Sequence, residues 1–95
     1  MMTTVRRTTH VPLGRVYLTS GARHELPPRE IQNALEKHER GDWGLLPEDE
    51  KMQNDLCLEL GESVTSVYRA RNGDVFLVRT ARDRSETTVL LLEED

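Results

Sequence analysis

A chain of 95 residues, 36% of them apolar and 32% charged, makes one small domain with a thin core. A formal net charge of −4 argues against a dedicated duplex-DNA binder, which draws most of its affinity from a basic excess. The lone Cys57 excludes an intramolecular disulfide, and no run approaches the ~20 apolar residues that a membrane span requires.

Residues Met1 to Pro12 are polar and read as a flexible lead-in, with 13–95 as a single domain. The basic pair Arg6-Arg7 has no apolar stretch behind it, so no signal peptide is expected and the chain reads as cytoplasmic. Gly14 to Ser20 reads as a short strand closed by Gly21, followed by one helical turn at Ala22 to Leu26 that Pro27-Pro28 stops.

From Arg29 to Arg40, Ile31, Ala34, Leu35 and His38 recur at i, i+3, i+4 and i+7, the pattern of one helical face. Pro28 suits the first turn of that helix, and Gly41 stands just beyond its basic end. Gly41-Asp42-Trp43-Gly44 then makes a tight turn around the only tryptophan. A second helix opens after Pro47 with Glu48, Asp49 and Glu50 in its first turn, where the helix dipole favours acids. Met52, Leu56 and Leu60 form its apolar stripe, which predicts the buried side, and Gly61 ends it.

The remaining chain predicts strands. Val64 to Arg71 and Asp74 to Ala81 flank Asn72-Gly73, the signature of a two-residue hairpin loop. That loop sets Tyr68 opposite Leu77, Val67 opposite Val78, Arg69 opposite Phe76 and Ser66 opposite Arg79. Arg82-Asp83-Arg84-Ser85 leads to a last strand, Thr87 to Leu92, and Glu93-Glu94-Asp95 reads as a solvated end. The expected fold is α+β, a strand, two helices and a three-stranded antiparallel meander, with both helices packed on one sheet face. Both faces of the hairpin mix apolar and charged residues, so the alternation does not choose the covered face.

Catalytic signals are sparse. His10, His24 and His38 fall at no metal-ligand spacing, His24-Glu25 is stopped by Pro27-Pro28 before a zinc motif could form, and Cys57 stands beside an apolar stripe. No metal and no cofactor are expected. Two surfaces stay open. Asp42 and Trp43, with Asp83, Arg84 and Ser85, are candidate contacts for a protein partner, since tryptophan anchors many interfaces. Trp43 also reads as a core plug with its N–H on a loop acceptor, the plainer of its two readings. Arg69, Arg79, Arg82 and Arg84, with Tyr68 and Phe76 interleaved, form a candidate RNA-binding or RNA-cleaving sheet, Tyr68 or Glu86 moving protons. A second copy of the chain is a further open partner, and membrane and duplex DNA are not expected.

Gly41-Asp42-Trp43-Gly44, Asp49, Asn54, Ser66-Val67-Tyr68 and Asp83-Arg84-Ser85-Glu86-Thr87-Thr88-Val89 together resemble a family of short bacterial proteins, commonly labelled hypothetical or plasmid-related, of plasmids and integrated mobile elements. Gly14-Arg15-Val16 and Thr19-Ser20-Gly21-Ala22 extend that resemblance, which runs from about Leu13 to Leu92. It implies an accessory role in a mobile element and no established activity. The chain departs from the family at its end, where Leu92-Glu93-Glu94-Asp95 replaces a Pro-Glu-Glu-Tyr-like tail. The element order is also similar to that of RelE-type messenger-RNA interferases, which are strongly basic, whereas this chain is acidic and has no Lys or His after Lys51.

Overall fold

A computed structural model describes residues His10–Asp95. The first nine residues of the lead-in expected over 1–12 lie outside that range. By Val11 the chain is already packed, fully buried and donating its N–H to the Glu39 carbonyl at 2.8 Å, so the body begins before the expected boundary at 13.

The elements run β1 (Arg15–Leu18), α1 (Ser20–Glu25), α2 (Pro28–Glu39), α3 (Glu48–Leu60), β2 (Val64–Arg69), β3 (Val75–Thr80), β4 (Glu86–Leu91) and a closing 3₁₀ turn, Leu92–Glu94. The α+β layering is as expected, with a third helix added. Ser20 and Gly21 belong to α1 instead of closing the first strand, because the Thr19 hydroxyl accepts from the Ala22 N–H and caps a helix there. The sheet order is β1-β4-β3-β2, with β1 parallel to β4 and the other pairs antiparallel.

The hairpin differs from expectation by one residue. Ala70 and Asp74 pair across a three-residue loop, Arg71-Asn72-Gly73, with Gly73 at φ +95°. Val67 therefore faces Leu77, Tyr68 faces Phe76 and Arg69 faces Val75. The tip is held from outside: the Asn72 side chain donates to the Glu25 carbonyl at 3.1 Å, and the Arg71 N–H donates to the Glu30 carboxylate at 3.0 Å. This register puts Ser66, Tyr68, Phe76, Val78 and Thr80 on the helix side, where all are buried.

The main core joins Ala22 and Leu26 of the α1 segment, Ile31 and Ala34 of α2, and Tyr68, Phe76, Val78, Val89 and Leu91 of the sheet. The spacing of the α2 apolar face carries straight into this cluster, with His38 also buried. A second cluster of Val11, Trp43 and Val64, with Leu46, Cys57 and Leu58 packed against it, joins α3 to the β2 side. The outer strand β2 is covered at its edge. Val67 exchanges backbone bonds with Trp43 and Leu45, and the Asn54 side-chain amide bonds the Thr65 carbonyl and N–H.

The orientation of α3 overturns the expected burial of its stripe. Met52, Leu56 and Leu60 are 68%, 46% and 66% exposed. The side turned inward carries Asn54, with Cys57 and Leu58 half-buried. The chain end is also not simply solvated. Glu94 accepts from the Thr19 hydroxyl and from the Gly21 and Leu91 N–H groups, and Asp95 accepts two hydrogen bonds from Arg79.

Candidate functional site

Trp43 and the glycine beyond it are placed by close backbone approach. Gly44 has φ +77° and lies so near β2 that a Cβ there would sit 2.0 Å from the Val67 carbonyl oxygen. That contact holds the turn against the strand and leaves the Trp43 ring only 2% exposed, its N–H donating to Asp55 at 2.9 Å. Trp43 is thus the core plug, and the surface-anchor alternative does not hold for a buried ring. Asp42 is exposed, but its carboxylate accepts from the Gly44 N–H and its carbonyl accepts from the Tyr68 hydroxyl at 2.7 Å.

The other partner candidates make up a self-contained turn. Asp83 accepts from both the N–H and the hydroxyl of Ser85, and these bonds hold its carboxyl below the usual range. Arg84, at φ +60°, donates to the Glu62 and Ala81 carbonyls at 2.8 and 3.0 Å. Its guanidinium clips the end of α3 to the β3–β4 turn.

The arginine sheet is not assembled as expected. Tyr68 and Phe76 point to the helix side and are buried against each other with ring centroids 5.8 Å apart, whereas Arg69 and Arg79 alternate to the opposite face. Arg79 spends its guanidinium on Thr65 and on both oxygens of Asp95, Arg84 is tied to carbonyls, and Arg82 stands in the turn. Burial raises the Tyr68 phenol pKa far above its ordinary value and keeps it protonated, so it is no proton acceptor.

One polar constellation went unrecognised in the sequence. His38 bonds Ser66 through Nδ1 at 2.6 Å and Thr80 through Nε2 at 2.8 Å. Thr80 meets the Thr87 hydroxyl at 2.7 Å, and Thr87 donates to the Leu13 carbonyl at 2.7 Å. Counting protons fixes the direction. The Thr87 proton is committed to Leu13, so the short Thr80–Thr87 contact needs the Thr80 proton. Thr80 must then accept from Nε2–H, and Ser66 donates to a bare Nδ1. His38 is the neutral Nε2–H tautomer. Burial, with a smaller push from the Arg84 charge, lowers its pKa from 6.5 to about 4. The indole of Trp43 meets the imidazole edge-on at 5.6 Å.

A hydroxyl on a histidine is the pairing of nucleophilic catalysis, yet Ser66, His38, Thr80 and Thr87 are all fully buried. The arrangement satisfies every polar atom it buries and offers no face to a substrate. The α2 face had pointed to His38, but its hydroxyl partners Ser66 and Thr80 lie on two different strands, with Thr87 beyond them on a third, and carry no local signal.

The accessible features are of another kind. The α3 stripe faces solvent. An apolar groove of about 260 Å³ runs between α1, α2 and β1, lined by Leu18, Arg23, Leu26, Ile31 and Leu35 among others. Among the described residues, no cluster of His, Cys, Asp and Glu is placed to hold a metal ion, and no helix is long and apolar enough to cross a membrane. No family model matches the chain, and no curated protein or solved structure shows significant similarity to it.

Proposed function

We propose that this chain is a non-enzymatic interaction module that receives another protein on α3, acting in the cytoplasm as an accessory of a mobile element. The observation that carries the docking role is the outward stripe of Met52, Leu56 and Leu60. A helix normally turns such a stripe to the core; here the stripe is presented on a convex, solvated side while polar Asn54 is turned in. Full burial of a wholly exposed Leu or Met side chain is worth roughly 1.5–3 kcal/mol, and covering these partly exposed ones about half of that each. The mobile-element setting rests on the sequence resemblance alone.

Affinity capture from bacterial lysate, run with and without nuclease, tests the docking role by comparing the natural protein with Leu56→Asp. The expected result is a protein retained by the first and lost from the second, with unchanged circular dichroism. Identical retention by both, or capture only of nuclease-sensitive RNA, would overturn it.

A further inference from the structure

We infer that the occupant of α3 is a basic amphipathic helix of a partner protein, an inference that rests on the docking role above. Charge is the reason. Helix α3 holds five acids, Glu48, Asp49, Glu50, Asp55 and Glu59, against the single Lys51, a net −4 that equals the formal charge of the whole chain. The rest of the protein is therefore balanced, and its acidity is concentrated on the element that also presents the apolar stripe. Lys51 is half-buried and lies 3.8 Å from Glu48, an ion pair that leaves no free cation on the helix.

Helical geometry places four of the five acids, all but Glu50, on or beside the stripe. Asp49 precedes Met52 by three residues and continues the stripe toward the N-terminus. Glu48, Asp55 and Glu59 fall along one flank, at i−4, i+3 and i+7 from Met52. Asp55 gives one oxygen to Trp43 and stays exposed. Gln53, uncharged, lies along the other flank.

The stripe spans Met52 to Leu60, about 12 Å at 1.5 Å per residue. It is a ridge of side chains on a helix, and the surface that complements it is the groove between ridges of a second helix. Cations on the margin of that second helix would face the acidic flank. On α3 a second copy of this chain offers the same acids and only Lys51, already paired with Glu48, so self-pairing through α3 sets like charges together. Phosphate backbones and anionic lipid surfaces are repelled for the same reason.

The test uses the full chain and two synthetic helices, each with leucines on one face, one with lysines and the other with glutamates on its flanks. The lysine helix is expected to bind roughly tenfold or more tighter than the glutamate helix at low salt, with the gap closing as salt rises. Leu56→Asp should abolish binding, and Glu48→Gln with Asp49→Asn should weaken it and flatten the salt response. Equal binding of both helices, or binding of neither, overturns the basic-helix assignment while the capture experiment still decides whether α3 docks anything. Binding of the lysine helix that is indifferent to Leu56→Asp overturns both. Concentration-dependent dimerisation that Leu56→Asp abolishes overturns the assignment in favour of a second copy.

Discussion

Thr80 accepts the Nε2 proton of His38 at 2.8 Å and passes its own proton to Thr87, so one hydrogen bond sets the tautomer of a buried histidine and the direction of a chain ending at the Leu13 carbonyl. The bond ties the last turn of α2 to the middle of the sheet. Thr80→Val keeps the shape and removes both its donor and its acceptor. It should destabilise the protein by about 1–3 kcal/mol in urea denaturation, whereas Thr80→Ser should retain most of the stability. Equal stability of the valine variant would show that the proton chain is dispensable.

Acid should unfold the protein through His38 before it acts on the carboxylates. The unfolded imidazole takes up its proton near 6.5, and the folded one only near 4. Between those values the unfolded state holds more protons, so stability is complete above 6.5 and declines as the pH falls toward 4, by about 3 kcal/mol in all. Glu94 and Asp95, whose carboxyls are held below their usual range by Thr19 and Arg79 respectively, lose their contribution only at lower pH. Urea midpoints measured from pH 7 to pH 4 should fall for the natural protein and stay flatter for His38→Gln.

Trp43→Ala should cost about 3–5 kcal/mol, because a large buried ring leaves a cavity between α3 and β2. Trp43→Phe should cost less, and only this milder variant is expected to stay folded enough to compare partner binding. Loss of partner capture by a well-folded Trp43→Phe protein would return the indole to the interface.

Gly44 and Gly61 separate close approach from backbone conformation. Both have φ near the left-handed region, +77° and +75°, but a Cβ at Gly61 meets nothing within 4 Å. Gly61→Ala should cost about 1–2 kcal/mol from the backbone alone. Gly44→Ala should cost more, since its methyl would displace the Val67 carbonyl or the Tyr68 ring. Thermal melting of the two variants makes the comparison, and equal losses would refute the steric account.

Leu60→Gln should change stability by no more than about 0.5 kcal/mol, because the side chain is 66% exposed. A loss of 2 kcal/mol or more on the order expected for a core leucine would put the stripe inside and remove the docking surface.

Much of the scaffold was legible residue by residue. The spacing of Ile31, Ala34, Leu35 and His38 identified the inward face of α2, the acids after Pro47 marked the start of α3, and Gly61 marked its end. The partner candidates were less so: Trp43 divides between core and surface in sequence, and only the approach of Gly44 to β2 decides for the core. The Asp83–Ser85 bond is local, two residues apart, whereas the grip of Arg84 on Glu62 spans a separation of 22 residues.

Composition, caps and periodicity act over a few residues, and so the sequence by itself determined the element order, the class of fold and the concentration of acid on α3. Tertiary structure decided which way each element faces. The hairpin took a three-residue loop because that register turns Tyr68 and Phe76 together into the core and lets Asn72 reach Glu25. The stripe of α3 turned outward while Asn54 closed the edge of β2. The bonds of His38 to Ser66 and Thr80 cross 28 and 42 residues, distances over which only the packed sheet, and no local propensity, brings donors and acceptors together.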